Sequence, residues 1–315
     1  AATTTGSNVA VGYQAGNAYT TETGKSVSIG TYANAVATGN YNVSVGFGAQ
    51  RGTTSGANNV AVGFQALSSA DGGGTALTGA YNVAIGYQAG FNLGGAAGDN
   101  ICIGANTANS ATTQEDLILI GTSAGAAIND DAADGTIAIG HQALTALTSG
   151  ANNTAIGYQC GDAMTDSAYM TLLGNNAGGA ITTGSDHSVI IGNYAGVGGA
   201  AAMAGCVVVG SNAMNSTGAN AQTGTIAIGY NALTALTSGA GNTAVGYQAG
   251  LALTTGSNNT VLGYQALKTE DTQGANVAVG YKTLNLLNAG ANAYNVAIGY
   301  QAGENTTGVQ NVFIG

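Results

Sequence analysis

Apolar and polar positions along this chain follow one nine-residue phrase, Asn-Val-Ala-Ile-Gly-Tyr-Gln-Ala-Gly, nearly verbatim at 82–90, 295–303 and 8–16. Looser copies align on the glycine that follows a Val, Ile or Leu. These anchors are Gly12, Gly30, Gly46, Gly63, Gly86, Gly104, Gly121, Gly140, Gly157, Gly174, Gly192, Gly210, Gly229, Gly246, Gly263, Gly280, Gly299 and Gly315. The eighteen anchors lie 16 to 19 residues apart, except for 23 between Gly63 and Gly86. A repeat of that period predicts a solenoid, in which each coil buries its apolar face on its neighbours. The expected fold class is all-β: a parallel β-roll or β-solenoid of about eighteen coils, forming one repeat domain over 1–315. Solenoids need polar caps and neither end carries one, so the chain is expected to be a segment of a longer or processed protein.

Numbering each copy from its anchor turns the sequence into columns. Position −1 is Val, Ile or Leu in all eighteen copies. Position −3 is Val or Ile in fourteen, and Thr154, Thr171, Thr243 and Thr260 complete the β-branched set. Branched residues two apart predict a short strand with one buried face, formed by these two columns. Position −2 should point the other way. It is small at Ala10, Ser44, Ala84, Ala155 and Ala297, larger at Leu119, Leu172, Ile190, Val208, Val261 and Phe313, and never charged. A solvated column collects Lys, Glu or Asp, so position −2 is expected to be covered by another chain or another layer, which is the sequence evidence for a homo-oligomer.

The rest of each coil is less regular. A triangular helix built from hexapeptides places an aliphatic residue every six positions. Counting from Ile228, those positions hold Thr234 and Ala240, while the aliphatics fall at Leu233 and Leu236. That favours a flat two-sided roll with a weakly patterned second strand. Position −4 is Asn in eleven copies, including Asn8, Asn59, Asn153, Asn242 and Asn311, which predicts an amide ladder at the turn into the strand. Position +1 is Tyr or Phe in ten copies, among them Tyr13, Phe64, Tyr158, Tyr230 and Tyr300, and +2 is often Gln or Asn. These columns are expected to hold coils together. They are also the one repeated feature able to read a repetitive ligand such as a glycan chain. Position +3 is Ala in fourteen of seventeen copies.

Charge lies elsewhere. All fourteen carboxylates fall outside the window from −4 to +4, and Lys282 is the only fully charged residue inside it. The turns carry Thr, Ser, Gly and Asn clusters, as at 53–59 and 254–259. They also absorb the length variation, the long spacing being filled by 69–80. The segments 136–161 and 225–250 are nearly identical, as a recent duplication would leave them.

Composition narrows the function. A net charge of −10 with four basic residues leaves no patch to neutralise phosphates, so nucleic acid is not an expected partner. No apolar stretch reaches the roughly 18–20 residues of a membrane span, and 197–210, the closest, is part of the repeat, so no membrane insertion is expected. Cys102, Cys160 and Cys206 lie three coils apart, which at ~4.8 Å per coil is beyond disulfide reach. Each is expected to be a small buried residue.

Four groupings imitate chemistry. Gly24-Lys25-Ser26 ends like a phosphate loop, but Tyr19 stands where such a loop needs glycine, so it reads as a turn with an exposed lysine. His141 falls in the aromatic column and reads as a substitute for Tyr. Asp186-His187-Ser188 contains the triad residue types, yet consecutive residues rarely converge on one reacting atom. Asn129-Asp130-Asp131 with Asp134 offers oxygen ligands for Ca²⁺, but the nonapeptide of calcium-binding rolls is missing, so it reads as a solvated acidic turn. No catalytic, cofactor-binding or metal residues are assigned, no cofactor is expected, and the chain is expected not to be an enzyme.

The string Asn-Val-Ala-Ile-Gly, repeated down the chain with Ala/Gly positions after it, resembles the head repeats of trimeric autotransporter adhesins and the related arrays of bacteriophage tail fibres and spikes. That resemblance implies a left-handed parallel β-roll, three chains about a common axis, and attachment to a surface. The repeat here is longer than the adhesin repeat, and its Tyr-Gln-Ala tail is more prominent, which favours the fibre. The function it implies is a non-enzymatic shaft or receptor-contacting head, extracellular, on a virion or cell surface. Its partners would be its own copies and a cell-surface glycan or protein receptor. A self-assembling extracellular filament is the alternative. Ice binding ranks below both, because the threonines form no two-per-coil grid.

Overall fold

The computed structural model describes residues 7–17, 24–36, 38–68, 76–198, 203–218, 222–269, 272–289 and 293–315. Tyr19 and most of the 69–80 insertion lie outside these. The chain is a parallel β-solenoid that divides into two units, residues 1–156 and 157–315. In the first unit each repeat supplies one three-residue strand: β1 Val9–Val11, β2 Val27–Ile29, β3 Val43–Val45, β4 Val60–Val62, β5 Val83–Ile85, β6 Ile101–Ile103, β7 Ile118–Ile120, β8 Ile137–Ile139 and β9 Thr154–Ile156. Consecutive strands pair in parallel and in register, copy on copy, as Val43, Ser44 and Val45 do with Val60, Ala61 and Val62.

The second unit repeats this with β10 Thr171–Leu173, β11 Val189–Ile191, β13 Val207–Val209, β15 Ile226–Ile228, β16 Thr243–Val245, β17 Thr260–Leu262, β18 Val277–Val279, β19 Val296–Ile298 and β20 Val312–Ile314. A second strand within a coil forms only at β12 Met203–Ala204 and β14 Gln222–Thr223 among the described residues, and these two pair in parallel. Elsewhere the weakly patterned half of the coil is built from turns.

Those turns follow from backbone conformation. Positive φ recurs at −5, 0, +2 and +4, as at Asn58 (57°), Gly63 (138°), Gln65 (51°) and Leu67 (48°). Overlapping i→i+3 hydrogen bonds then wind the chain back, as in Ala49 N–H to Gly46, Arg51 to Gly48 and Thr53 to Gln50. The left-handed residues also stitch neighbouring coils. Gln65 N–H donates to Phe47 of the preceding coil, and Leu67 N–H to Ala89 of the following one, both at 2.9 Å.

The anchor glycine is steric. A β-carbon on Gly63 would stand 2.2 Å from the Gly86 carbonyl oxygen, and the same collision recurs along both units. Glycine therefore stacks on glycine because the coils approach through their backbones.

The core corrects the expected orientation of the strand. Position −2 is the buried one in sixteen of eighteen copies, Ala10 and Phe313 being the exceptions, while −3 and −1 are half-buried or exposed throughout. The physical reason is room. Several coils are closed by a buried aliphatic at +7, such as Leu93, Ile128, Leu147 or Leu253, and by the alanine at +3. Little more than a methyl group fits opposite them. At three bulky −2 positions, Leu119, Leu172 and Ile190, position +4 is glycine. A β-carbon on Gly125 would lie 2.9 Å from Leu119 and 2.8 Å from Ile128. In these three coils the glycine at +4 leaves room for the large residue at −2.

Candidate functional site

Inverting the strand moves the site. The small column expected to touch another chain is interior, and the surface is formed by the branched columns at −3 and −1 with the residue at +1. In the second unit Leu262, Ile298, Tyr230, Tyr247, Tyr264 and Tyr300 are all more than 40 % exposed. None of the thirty-six positions at −3 and −1 is charged. The result is a flat, parallel strand face, branched and uncharged, with an aromatic column one glycine away. Threonine reaches it only at Thr154, Thr171, Thr243 and Thr260, so it carries no threonine grid.

The aromatic column stacks wherever consecutive copies are aromatic. Phe47, Phe64 and Tyr87 lie 5.3 Å apart with planes within 10°. Tyr230, Tyr247, Tyr264, Tyr281 and Tyr300 form a longer run at 5.0–5.5 Å. Rings that close cover one another's faces, leaving edges and hydroxyls to solvent. The amides at +2 also pair between coils: Gln88 donates to Gln65 at 2.9 Å, and Gln265 to Gln248 at 2.8 Å. Both columns thus join coil to coil, and stacking a sugar on a ring face inside the run is sterically closed.

The asparagine ladder is structural and interior. Asn59 N–H donates to Asn42 Oδ1 at 2.9 Å, Asn82 N–H to Asn59 Oδ1 at 2.8 Å, and Asn100 N–H to Asn82 Oδ1 at 3.2 Å. The Nδ2 groups of Asn42 and Asn82 cross to Gly56 and Ala97 carbonyls on the opposite wall. Ser26 and Ser188 fill the same column, accepting from the N–H of Asn42 and Cys206.

The remaining candidates are dispersed among these ladders. Lys25 is exposed, 5.5 Å from the Tyr41 ring, while Ser26 belongs to the amide column. His141 is exposed in the aromatic column. Asp186 accepts from Ala168 N–H at 2.8 Å, His187 stacks on Tyr169 at 4.9 Å, and buried Ser188 bonds the Met203 carbonyl. Those three side chains face three different partners and form no relay.

In the acidic turn, Asp130 caps a short 3₁₀ turn, Asp131–Ala133, through Ala132 N–H. Asp131 bonds Thr113, and Asp134 accepts from Glu115 N–H at 2.9 Å. Its carboxylates thus tie adjacent coils together. Burial raises the Asp134 carboxyl above its ordinary value, the Glu115 N–H opposes this, and the charges of Asp131 and Asp116 add to it. Among the described residues no three His, Cys, Asp or Glu side chains gather to hold a metal ion. Cys102, Cys160 and Cys206 are free thiols and fully buried, each in a different column: −2, +3 and −4.

Sequence reasoning missed position −5, where Asn, Asp, Gly, Tyr and His all adopt positive φ. Its enrichment in Asn, Asp and Gly was the available signal. Among the described residues no helix is long and apolar enough to cross a membrane. No protein-family model matches the chain, and no curated protein matches it.

Proposed function

We propose that this chain is a non-enzymatic structural segment, the shaft or receptor-contacting head of a phage tail fibre or cell-surface adhesin. It would work outside the cell as a homotrimer. One observation carries the reading: the outward strand columns remain branched and uncharged through eighteen copies. Solvent alone does not demand that, whereas a covering partner does. Nine strands at ~4.8 Å by three residues at ~3.3 Å give roughly 400 Å² of flat face per unit. That is about half of the roughly 800 Å² per partner of specific interfaces.

A second copy of the same repeat is the natural cover, since its branched rows have the same spacing. A closed rotational assembly uses that surface on every copy. The ladders of glycine, asparagine and tyrosine suit a load-bearing role, because each coil bonds to the coils beside it. Light scattering on the purified chain tests the reading. The expected mass is three times the 30.3 kDa chain, and a stable monomer over a wide concentration range would overturn it.

A further inference from the structure

Five phenols, Tyr230, Tyr247, Tyr264, Tyr281 and Tyr300, occupy one column in consecutive coils of the second unit. Their rings are stacked nearly parallel, with centroids 5.0–5.5 Å apart and planes 7–15° apart. All five are exposed, from 39 % at Tyr281 to 68 % at Tyr300. In-register pairing of β15 to β19 fixes the backbone beside each ring, so neighbouring phenols stay neighbours when side chains rock. The first unit has no such run: its parallel stack of Phe47, Phe64 and Tyr87 holds one phenol, and Tyr13 meets Tyr32 edge-on at 5.6 Å.

We propose that the tyrosine run is an oxidative modification site, where hydrogen peroxide and a haem peroxidase couple neighbouring phenols into a dityrosine bond between consecutive coils. Each of two phenols gives up its hydroxyl hydrogen as one proton and one electron. The resulting phenoxyl radicals share their spin with the ring carbons beside the oxygen. A carbon–carbon bond forms between one such carbon on each ring, and the hydrogens on those carbons move to the oxygens, restoring both phenols. The two electrons and two protons reduce one hydrogen peroxide to two waters. Stacking supplies the second radical within the same chain, so coupling needs no encounter between molecules. The product would convert a non-covalent ladder into a covalent one along an exposed column of the unit.

The sequence provides a clean test. After oxidation and denaturation, trypsin cuts behind Lys268 and Lys282. It releases 269–282, whose only tyrosine is Tyr281, and 283–315, which holds Tyr294 and Tyr300. The expected product of horseradish peroxidase and hydrogen peroxide is 269–282 joined to 283–315 through Tyr281 and Tyr300, lighter than the sum by two hydrogen atoms. A second product joins 269–282 to 52–268 through Tyr264. Yields should not change on tenfold dilution. Tyr281→Phe keeps a ring that the column already accepts at Phe47 and Phe64, and should abolish both products. Tyr294→Phe should leave both intact. Absence of the Tyr281–Tyr300 product overturns the proposal, as does its persistence in Tyr281→Phe, transfer of the link to Tyr294, or a yield that falls with dilution.

Discussion

The side-chain oxygen of Asn242 accepts two hydrogen bonds from Asn259, one from its backbone N–H at 2.9 Å and one from its Nδ2 at 3.1 Å. Asn259 repeats the pattern toward Asn276 and also donates to the Gln273 carbonyl at 3.2 Å. One buried amide therefore serves three segments. Asn259→Ala would strand the Asn276 N–H inside the coil, while the backbone N–H of residue 259 would still reach the Asn242 oxygen, with an expected cost of about 1–3 kcal/mol. Asn259→Ser should cost less, because Ser188 accepts from the Cys206 N–H in the same column. Chemical denaturation of the three proteins would rank them, and equal stability of wild type and alanine variant would refute the ladder's importance.

Two glycines separate backbone collision from backbone preference. Gly246 has φ 138°, and a β-carbon there would stand 2.3 Å from the Gly263 oxygen, whereas Gly224 has φ 60° and open space around it. Gly246→Ala combines an unfavourable backbone with a displaced coil and should cost above ~3 kcal/mol. Gly224→Ala meets only the left-handed penalty of about 1–2 kcal/mol. Melting temperatures should order wild type, Gly224→Ala and Gly246→Ala from high to low.

How far the sequence reveals this fold depends on which column is read. Gly63 and Asn82 announce their roles, because only glycine survives the close approach and a short amide reaches both walls of the coil. Tyr247 and Gln248 likewise appear as stackable columns before any coordinates are known. The strand face does not. Val-Ala-Val specifies two faces, but both are apolar, so alternation alone leaves the inside undecided. What decides it is the volume left inside the coil, where Leu144 at +4, Leu147 at +7 and Ala138 are all fully buried. The turn-built half of the coil is equally hidden, since Gln65 and Leu67 in left-handed conformation carry no composition signal of their own.

Thiol chemistry reports on coil opening. Burial pushes the Cys102 thiol up to about 12 and also raises Cys206. With all three cysteines free and fully buried, Ellman's reagent at pH 8 should find no reactive thiol in the folded chain and three after denaturation. Rapid labelling without denaturant would mean that coils open locally on the timescale of the assay.

Acidic pH should relieve a local strain in the first unit. Because the Asp134 carboxyl is raised above its ordinary 3.8, the folded chain holds that proton more tightly than the unfolded chain. Ionisation then costs stability at neutral pH, and the cost disappears as pH falls below the unfolded value. Asp134→Asn keeps an oxygen for the Glu115 N–H and removes the charge. It should raise the melting temperature slightly at pH 7, by well under ~1 kcal/mol for so exposed a group, and leave it unchanged near pH 3. A lower melting temperature at pH 7 would contradict the direction of the shift.

The strand face yields the sharpest test of assembly, because neighbouring residues on one strand should behave oppositely. Val245 is half-buried on the outward face, and Ala244 beside it is fully buried. Lysine at Val245 and Val279 can lay its stem along the face and keep its ammonium in water, so the coil should fold with an unchanged circular dichroism spectrum. A partner covering that face would have to bury both charges, so the trimer should fall to monomer. Ala244→Lys puts the same charge inside a coil with no room for it and should unfold the second unit outright. If the double lysine variant keeps the wild-type mass, the branched columns are not the interface. If the wild type is itself monomeric, the assembly fails before the choice of face is tested.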